Sequence, residues 1–269
     1  MASGKSSYNT NLTRTPAVCG TFYPDDPETL KNDIAMYFSH TKHVISGKTI
    51  RAILVPHAGF VYSGQTAAWG YRQLPKKSNP HFVIIGPSHH VAFEGLASSG
   101  ADIWQTPIGD IRHFPVKVLN NQIFISDEVH RDEHDIEVQI PFLQYLFSDC
   151  SFTAFATGIK VNINNCTEYL SSYIRKSLFI ISSDLSHYQP EEYARTKDAR
   201  TIDAIIRGDI KYIIKEENAA CGNMAIAITM TLAQKNNWVS RCVHCDTSAS
   251  AFGDTQKVVG YAAIVWYEK

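Results

Sequence analysis

Three short, unbroken apolar runs each stop at a small residue and then at side chains that handle metals or protons. They are Ile53-Leu54-Val55 before Pro56-His57, Phe82-Val83-Ile84-Ile85 before Gly86-Pro87-Ser88-His89-His90, and Phe179-Ile180-Ile181 before Ser182-Ser183-Asp184-Leu185-Ser186-His187. A continuous apolar run bounded by Gly, Pro or Ser is the pattern of a strand buried on both faces. In open α/β sheets the active crevice lies beyond the carboxyl ends of such strands. The three runs therefore predict an α/β fold in which His57, His89, His90, Asp184 and His187 meet at one edge of one sheet.

The rest of the chain fits that frame. Asp26 followed by Pro27 predicts a helix start, with Leu30, Ile34 and Tyr37/Phe38 on its buried side. Further helices are expected over 66–74, from Asp132 through Phe147 with Pro141 as a kink, and over 166–175, 191–206, 210–215 and 225–234. Strands are expected over 152–159, 241–245 and 258–267, and short antiparallel strands near Trp104 and Pro107. Without an internal repeat or linker, residues 16–269 read as one domain with a parallel or mixed sheet covered on both faces, and residues 1–15 as a loose tail. A hydrophobic fraction of 44% is ample for that core.

Charge narrows the function classes. Lys plus Arg is 25 and Asp plus Glu is 26, a net charge of −1, so no basic surplus exists for a nucleic-acid backbone. No apolar stretch approaches the length of a membrane span, and the first residues do not resemble a secretory signal. Six scattered cysteines in a chain with this core call for no disulfide framework, and the expected setting is the reducing cytoplasm.

His57, taken alone, reads equally as a core histidine or a functional one. Of the adjacent pair His89 and His90, at most one is a direct ligand, and the other orients it or meets substrate. Asp184 and His187, three apart, form either a metal pair or a proton-transfer pair. Cys221-Gly222 precedes an expected helix, whose N-terminus favours a thiolate. Two imidazoles and a thiolate suit redox-active iron or copper and can also hold zinc. Cys242-Val-His-Cys245 is a weak zinc motif, because in a regular strand positions three apart face opposite ways. Glu133, His134 and Glu137 stand at the head of an expected helix, where solvated carboxylates are common.

Five motifs occur in the order found in the Memo family, also called AmmeMemoRadiSam system protein B, and the chain resembles that family over nearly its whole length. They are Pro56-His57-Ala58-Gly59, Gly86-Pro87-Ser88-His89-His90, Asp132-Glu133-His134 with Glu137, Ser182-Ser183-Asp184-Leu185-Ser186-His187, and Cys221-Gly222. The resemblance implies a fold like that of class III extradiol dioxygenases, in which two histidines and a carboxylate hold non-haem iron(II). It also implies that a cysteine replaces the carboxylate, so that His57, His89 and Cys221 would bind iron(II) or copper, with zinc less favoured. Asp184 and His187 would then be the catalytic pair, and Ser88, His90, His134 and Glu137 would stand behind the ligands or in the substrate pocket. Phe60 and Asn223-Met224-Ala225 depart from the residues common in the family at those places.

Two functions follow as expectations. One is a dioxygenase-like oxidoreductase with His187 moving a proton and Asp184 orienting it. The other is a non-catalytic metal-binding or adaptor protein that uses the same pocket for a peptide or phosphotyrosine ligand in signalling. The second has no arginine cluster of the kind that recognises phosphate.

Overall fold

The computed structural model describes residues 12–117 and 120–269. Strand β1 (Thr13–Arg14) and helix α1 (Pro27–Ser39) precede the first apolar run, which forms β2 (Ile50–Val55) and leads into α2 (Phe60–Tyr71). The second run is β3 (His81–Pro87). After it come β4 (Leu96–Ser98), the hairpin β5 (Ile103–Thr106) and β6 (Gly109–His113), β7 (Ile123–Ile125) and α3 (Asp127–Arg131). A single tight turn at Glu137–Gln139 opens into α4 (Ile140–Leu146), then β8 (Ser151–Thr157) and α5 (Ile163–Ser171). The third run is β9 (Ser177–Ser182), followed by β10 (His187–Gln189), α6 (Glu191–Arg207), α7 (Ile210–Lys215) and α8 (Asn223–Lys235). The chain closes with β11 (Trp238–Thr247), α9 (Ala249–Phe252) and β12 (Val258–Glu268).

The sheet runs β1-β5-β6-β8-β3-β9-β2-β12-β10, with β11 also on β12, and β4 and β7 attached at β8. Its centre, β8-β3-β9-β2, is parallel, and β12 lies antiparallel to β2. Alternate residues of the central strands enter two cores. Ile53, Val55, Phe82, Ile84 and Ile180 pack under α1, α2 and α4. Leu54, Val83, Ile85, Phe179 and Ile181 pack with side chains of α5, α7 and α8. This is the expected single α/β domain with helices on both faces, and no described helix is long and apolar enough to cross a membrane.

Helix α1 starts where the sequence predicts. Asp26 accepts the Thr29 N–H at 2.8 Å, and Leu30, Ile34 and Phe38 are buried. Three local expectations fail. The tail expected over 1–15 ends earlier, because β1 pairs with β5 and Arg14 is buried; residues 1–11 lie outside the described residues. Helix α2 begins at Phe60 rather than Thr66. The helix expected from Asp132 is absent, since 132–136 is irregular and the helix begins only at Ile140, with Pro141 in its first turn. Proline is at ease there, where its missing N–H costs nothing.

Candidate metal centre

The carboxyl ends of β2, β3 and β9 deliver their polar residues to one crevice of about 760 Å³. His57 leaves β2 buried, with its backbone N–H bound to Asp184 Oδ1 at 2.8 Å. His89 stands two residues beyond β3. Cys221 comes from the turn before α8, and its Sγ accepts the Asp184 N–H at 3.2 Å. Gly222 permits that turn: a Cβ there would meet Ser183 Cβ at 2.7 Å and Ser182 O at 2.9 Å. Ligand atoms of His57, His89 and Cys221 all lie within 4.8 Å of one another, and His57 Nε2 is 3.1 Å from Cys221 Sγ.

The hydrogen-bond network fixes the imidazole tautomers. Ser182 Oγ donates its proton to Asp135 O at 2.6 Å and accepts Gln139 Nε2 at 2.7 Å. Its 3.0 Å contact with His57 Nδ1 must therefore be an N–H donated by the ring, which leaves the Nε2 lone pair toward Cys221. His89 Nδ1 lies 2.8 Å from Glu133 Oε1, and that carboxylate also accepts the His89 backbone N–H. His134 Nδ1 lies 3.2 Å from the same oxygen, and His187 Nδ1 lies 2.9 Å from Leu185 O. The rings of His57, His89 and His187 thus carry the proton on Nδ1, which leaves each Nε2 lone pair as a base or ligand, that of His57 directed at Cys221.

The electrostatics point the same way. Burial, reinforced by His134 and His89, holds His57 well below its usual range, so the ring is neutral. Burial and then Asp184 push the Cys221 thiol up, outweighing the helix N-terminus that favours the thiolate. Without a cation the thiol is protonated and donates to His57 Nε2. A divalent cation reverses that balance, because a coordinating thiol loses its proton. Burial raises Glu133, but hydrogen bonds from His134 and His89 win and hold it far below the carboxylate range.

Asp184 and His187 both line the crevice. They do not form the orienting pair expected from their spacing: Asp184 holds the His57 backbone, while His187 is held by its own loop. His134 also lines the crevice, its ring stacked on His89 at 4.7 Å. Three residues expected beside it are elsewhere. The Ser88 hydroxyl closes a turn on Val91, and His90 is exposed outside the crevice lining. Glu137 is fully buried and binds Arg14 Nη1, Ala17 N, Val18 N and Tyr23 OH, so it anchors the N-terminal segment rather than meeting a ligand. That segment carries Phe22 to the crevice wall.

Sequence reasoning read Glu133 only as a carboxylate at a helix head, named Ser182 only within a motif and passed over Gln139; their roles appear only when distant segments meet. It also passed over the exposed side chains that line the crevice, Tyr62, Tyr188, Phe252 and Lys257. Tyr188 and Phe252 are 70% and 67% exposed, and Tyr188 sits at φ 57°.

Fold and crevice together define an α/β protein with a two-histidine, one-cysteine cluster at the sheet's carboxyl edge. The model of the Memo-like protein family matches residues 14–265. The chain belongs to the Memo family. It is 39% identical to a MEMO1 family protein of Methanococcoides burtonii, over 94% of this chain and 99% of the relative. A MEMO1 family protein of Thermoplasma acidophilum is 36% identical over 94% and 98%, and one of Thermotoga petrophila 30% identical over 95% and 100%.

Proposed function

We propose that this protein is a metal-dependent oxidoreductase in which His57, His89 and Cys221 hold iron(II) or copper. The observation that carries the reading is the convergence of three ligand atoms with both ring tautomers already set for ligation. Imidazole and thiolate donors suit a redox-active metal better than a hard, oxygen-seeking cation, and zinc is the less favoured occupant. Such a metal, when bound, supplies open positions for oxygen or a small-molecule substrate, as in the class III extradiol dioxygenases that the family resembles.

The protein's own part is positioning and proton movement. Glu133 aims the His89 ring, and Ser182, held by Gln139 and Asp135, aims His57. Asp184 fixes the backbone of His57 and the sulfur of Cys221 at once. His187, with Nδ1 bound to Leu185 O, keeps Nε2 to take a proton from substrate in the crevice. The aromatic side chains lining the crevice shed water from an entering apolar or aromatic ligand. The six cysteines are all free, which suits a reducing cytoplasmic setting.

The exposed rings of Tyr188 and Phe252 favour one second reading, a signalling adaptor that binds a peptide in the same crevice without turnover. The deciding experiment is anaerobic purification followed by elemental mass spectrometry and oxygen-uptake assays with a panel of small aromatic and thiol substrates. Near-stoichiometric iron or copper, lost in Cys221→Ser and His89→Ala, with oxygen uptake in the wild type alone, supports the oxidoreductase. Metal binding without turnover favours the adaptor, and failure to take up either metal on reconstitution overturns the metal reading.

A further inference from the structure

Strand β11 carries a pair of thiols that no part of the metal centre uses. In its pairing with β12, Cys242 lies opposite Ile264, His244 opposite Ala263 and Cys245 opposite Ala262. Val243 is therefore an extra residue, a β-bulge. Cross-strand partners share a face, and Ile264 and Ala262 are two apart on their strand, so Cys242 and Cys245 lie on the same face. The opposite orientation expected for positions three apart in a regular strand does not hold. Packing agrees: Cys242 sits against the core that contains Ala262 and Ile264, while Val243 packs into the other core and His244 stacks on Trp69 at 5.5 Å.

We infer that Cys242 and Cys245 form a reversible dithiol–disulfide site on the edge of the sheet, with a hydroperoxide as its oxidant. The Cys242 thiol donates to His244 O at 3.2 Å, and each of the two sulfurs lies near enough to shift the other's ionisation. Cys245 is exposed, whereas Cys242 is half-buried behind it, an arrangement in which one sulfur meets the oxidant and the other resolves the product. The neighbouring Cys242 thiol, helped by Arg195, brings Cys245 down to about 6, against burial and the carboxylates of Asp246 and Asp198. The proximity of Cys245, with burial, pushes Cys242 up. At neutral pH the exposed sulfur is thus the thiolate and the inner one the thiol. A thiolate of that kind reacts at neutral pH roughly two- to threefold faster than an ordinary free cysteine, its larger charged fraction outweighing the lost nucleophilicity.

The chemistry balances. Cys245 sulfur attacks one peroxide oxygen, the O–O bond breaks, and the departing hydroxide takes up a proton to become water, leaving a sulfenic acid. Cys242 sulfur then attacks Cys245 sulfur; the S–S bond forms, the S–O bond breaks, and the Cys242 proton leaves with the oxygen as a second water. Two thiols lose two electrons and one hydroperoxide gains them, and a small dithiol reverses the change. A structural zinc site is the weaker reading. His244 points to the other face, and among the described residues no cluster of three ligands includes either cysteine.

The test treats the reduced full-length protein with hydrogen peroxide, blocks remaining thiols with iodoacetamide after denaturation, and digests with trypsin. Arg241 and Lys257 bound a single peptide, 242–257, that holds both sulfurs. The expected result is a peptide short of two hydrogen atoms that resists alkylation and regains both thiols in dithiothreitol, while Cys19, Cys150 and Cys166 stay alkylatable. Cys242→Ser should leave a dimedone-reactive sulfenic acid at Cys245, and Cys245→Ser should leave Cys242 alkylatable after the same peroxide exposure. Cys221→Ser should leave the rate unchanged, which separates this site from the metal centre. Full alkylation of both cysteines after peroxide overturns the proposal. So does equal reactivity of Cys242 in Cys245→Ser, or stoichiometric zinc that is lost in Cys242→Ser.

Discussion

Two groups of histidines lie in this molecule, and they differ in what the ring nitrogens left over by the fold can reach. His113 and His130 pack around Trp104 beneath the β5–β6 hairpin, with ring centroids 5.9 and 5.7 Å from it. His113 uses both nitrogens, with Nδ1 at 2.5 Å from Ala101 O and Nε2 accepting the Ala154 N–H at 3.1 Å. His130 Nε2 binds Ala97 O, and its Nδ1 is sealed from solvent without a partner. At the crevice, His57, His89 and His187 each spend Nδ1 on the protein, and the Nε2 of His57 meets Cys221 Sγ. His57 is as buried as His113, so burial does not separate the two groups; lining the crevice that gathers the candidate ligands does.

Exchanging the two groups' roles by mutation gives the sharpest break. Cys221→Ser and His89→Ala should weaken metal binding by more than about 100-fold with little change in thermal unfolding. His113→Ala should keep its metal and lose roughly 2–4 kcal/mol of stability, because it leaves a cavity and an unmatched carbonyl. Elemental analysis beside calorimetry reads both, and metal loss in His113→Ala would erase the distinction.

Acid should act on the buried rings of both groups, on His57 as on His113 and His130. Burial lowers His113 and His130 to about 4, below the 6.5 of the unfolded chain. The unfolded state therefore binds more protons between those values, and stability present above 6.5 is lost as pH falls toward 4. Urea unfolding at pH 7 and pH 5 should differ by roughly 2 kcal/mol for each ring. The double variant His113→Gln/His130→Gln should remove those two rings' share of the slope and leave that of His57, whereas Cys221→Ser should leave the share of His113 and His130 in place.

Glu133→Gln should lower metal affinity about 10- to 100-fold, the usual cost of losing a carboxylate behind a histidine ligand. An unchanged affinity would show that the His89 ring needs no charged partner. The smallest effect concerns the crevice lining. Among the described residues only Tyr188, Asn79, Asn218 and Asn237 have positive φ without being glycine, and asparagine tolerates that region far better than tyrosine. Tyr188→Gly should raise stability by up to ~1 kcal/mol and leave metal content untouched.

The strand ends were legible because a buried parallel strand writes itself as an apolar run, and whatever follows Val55, Pro87 and Ser182 must emerge at the same edge. What lay beyond local pattern is long-range. Asp132–Ile136 reads as a solvated helix start, yet Glu133 and Glu137 are buried. Their carboxylates are claimed by His89, 44 residues away, and by Arg14, 123 residues away. No local signal marks such partners. Asp135 is likewise buried, against Gly86, where any larger residue would collide with its carboxyl group. The bulge at Val243 is equally silent in sequence, and one extra residue was enough to reverse which face Cys245 occupies.

The pairing of β2 with β12 has a consequence for the order of synthesis. The strand that leads to His57 borders β9 on one side and Ile264–Tyr267 on the other. A ribosome-bound chain that has released His57, His89 and Cys221 still lacks the strand that completes their sheet. The three side chains leave the ribosome before β12 can hold β2 in place, so their final geometry is a late product of synthesis, set only once residues near 268 have emerged.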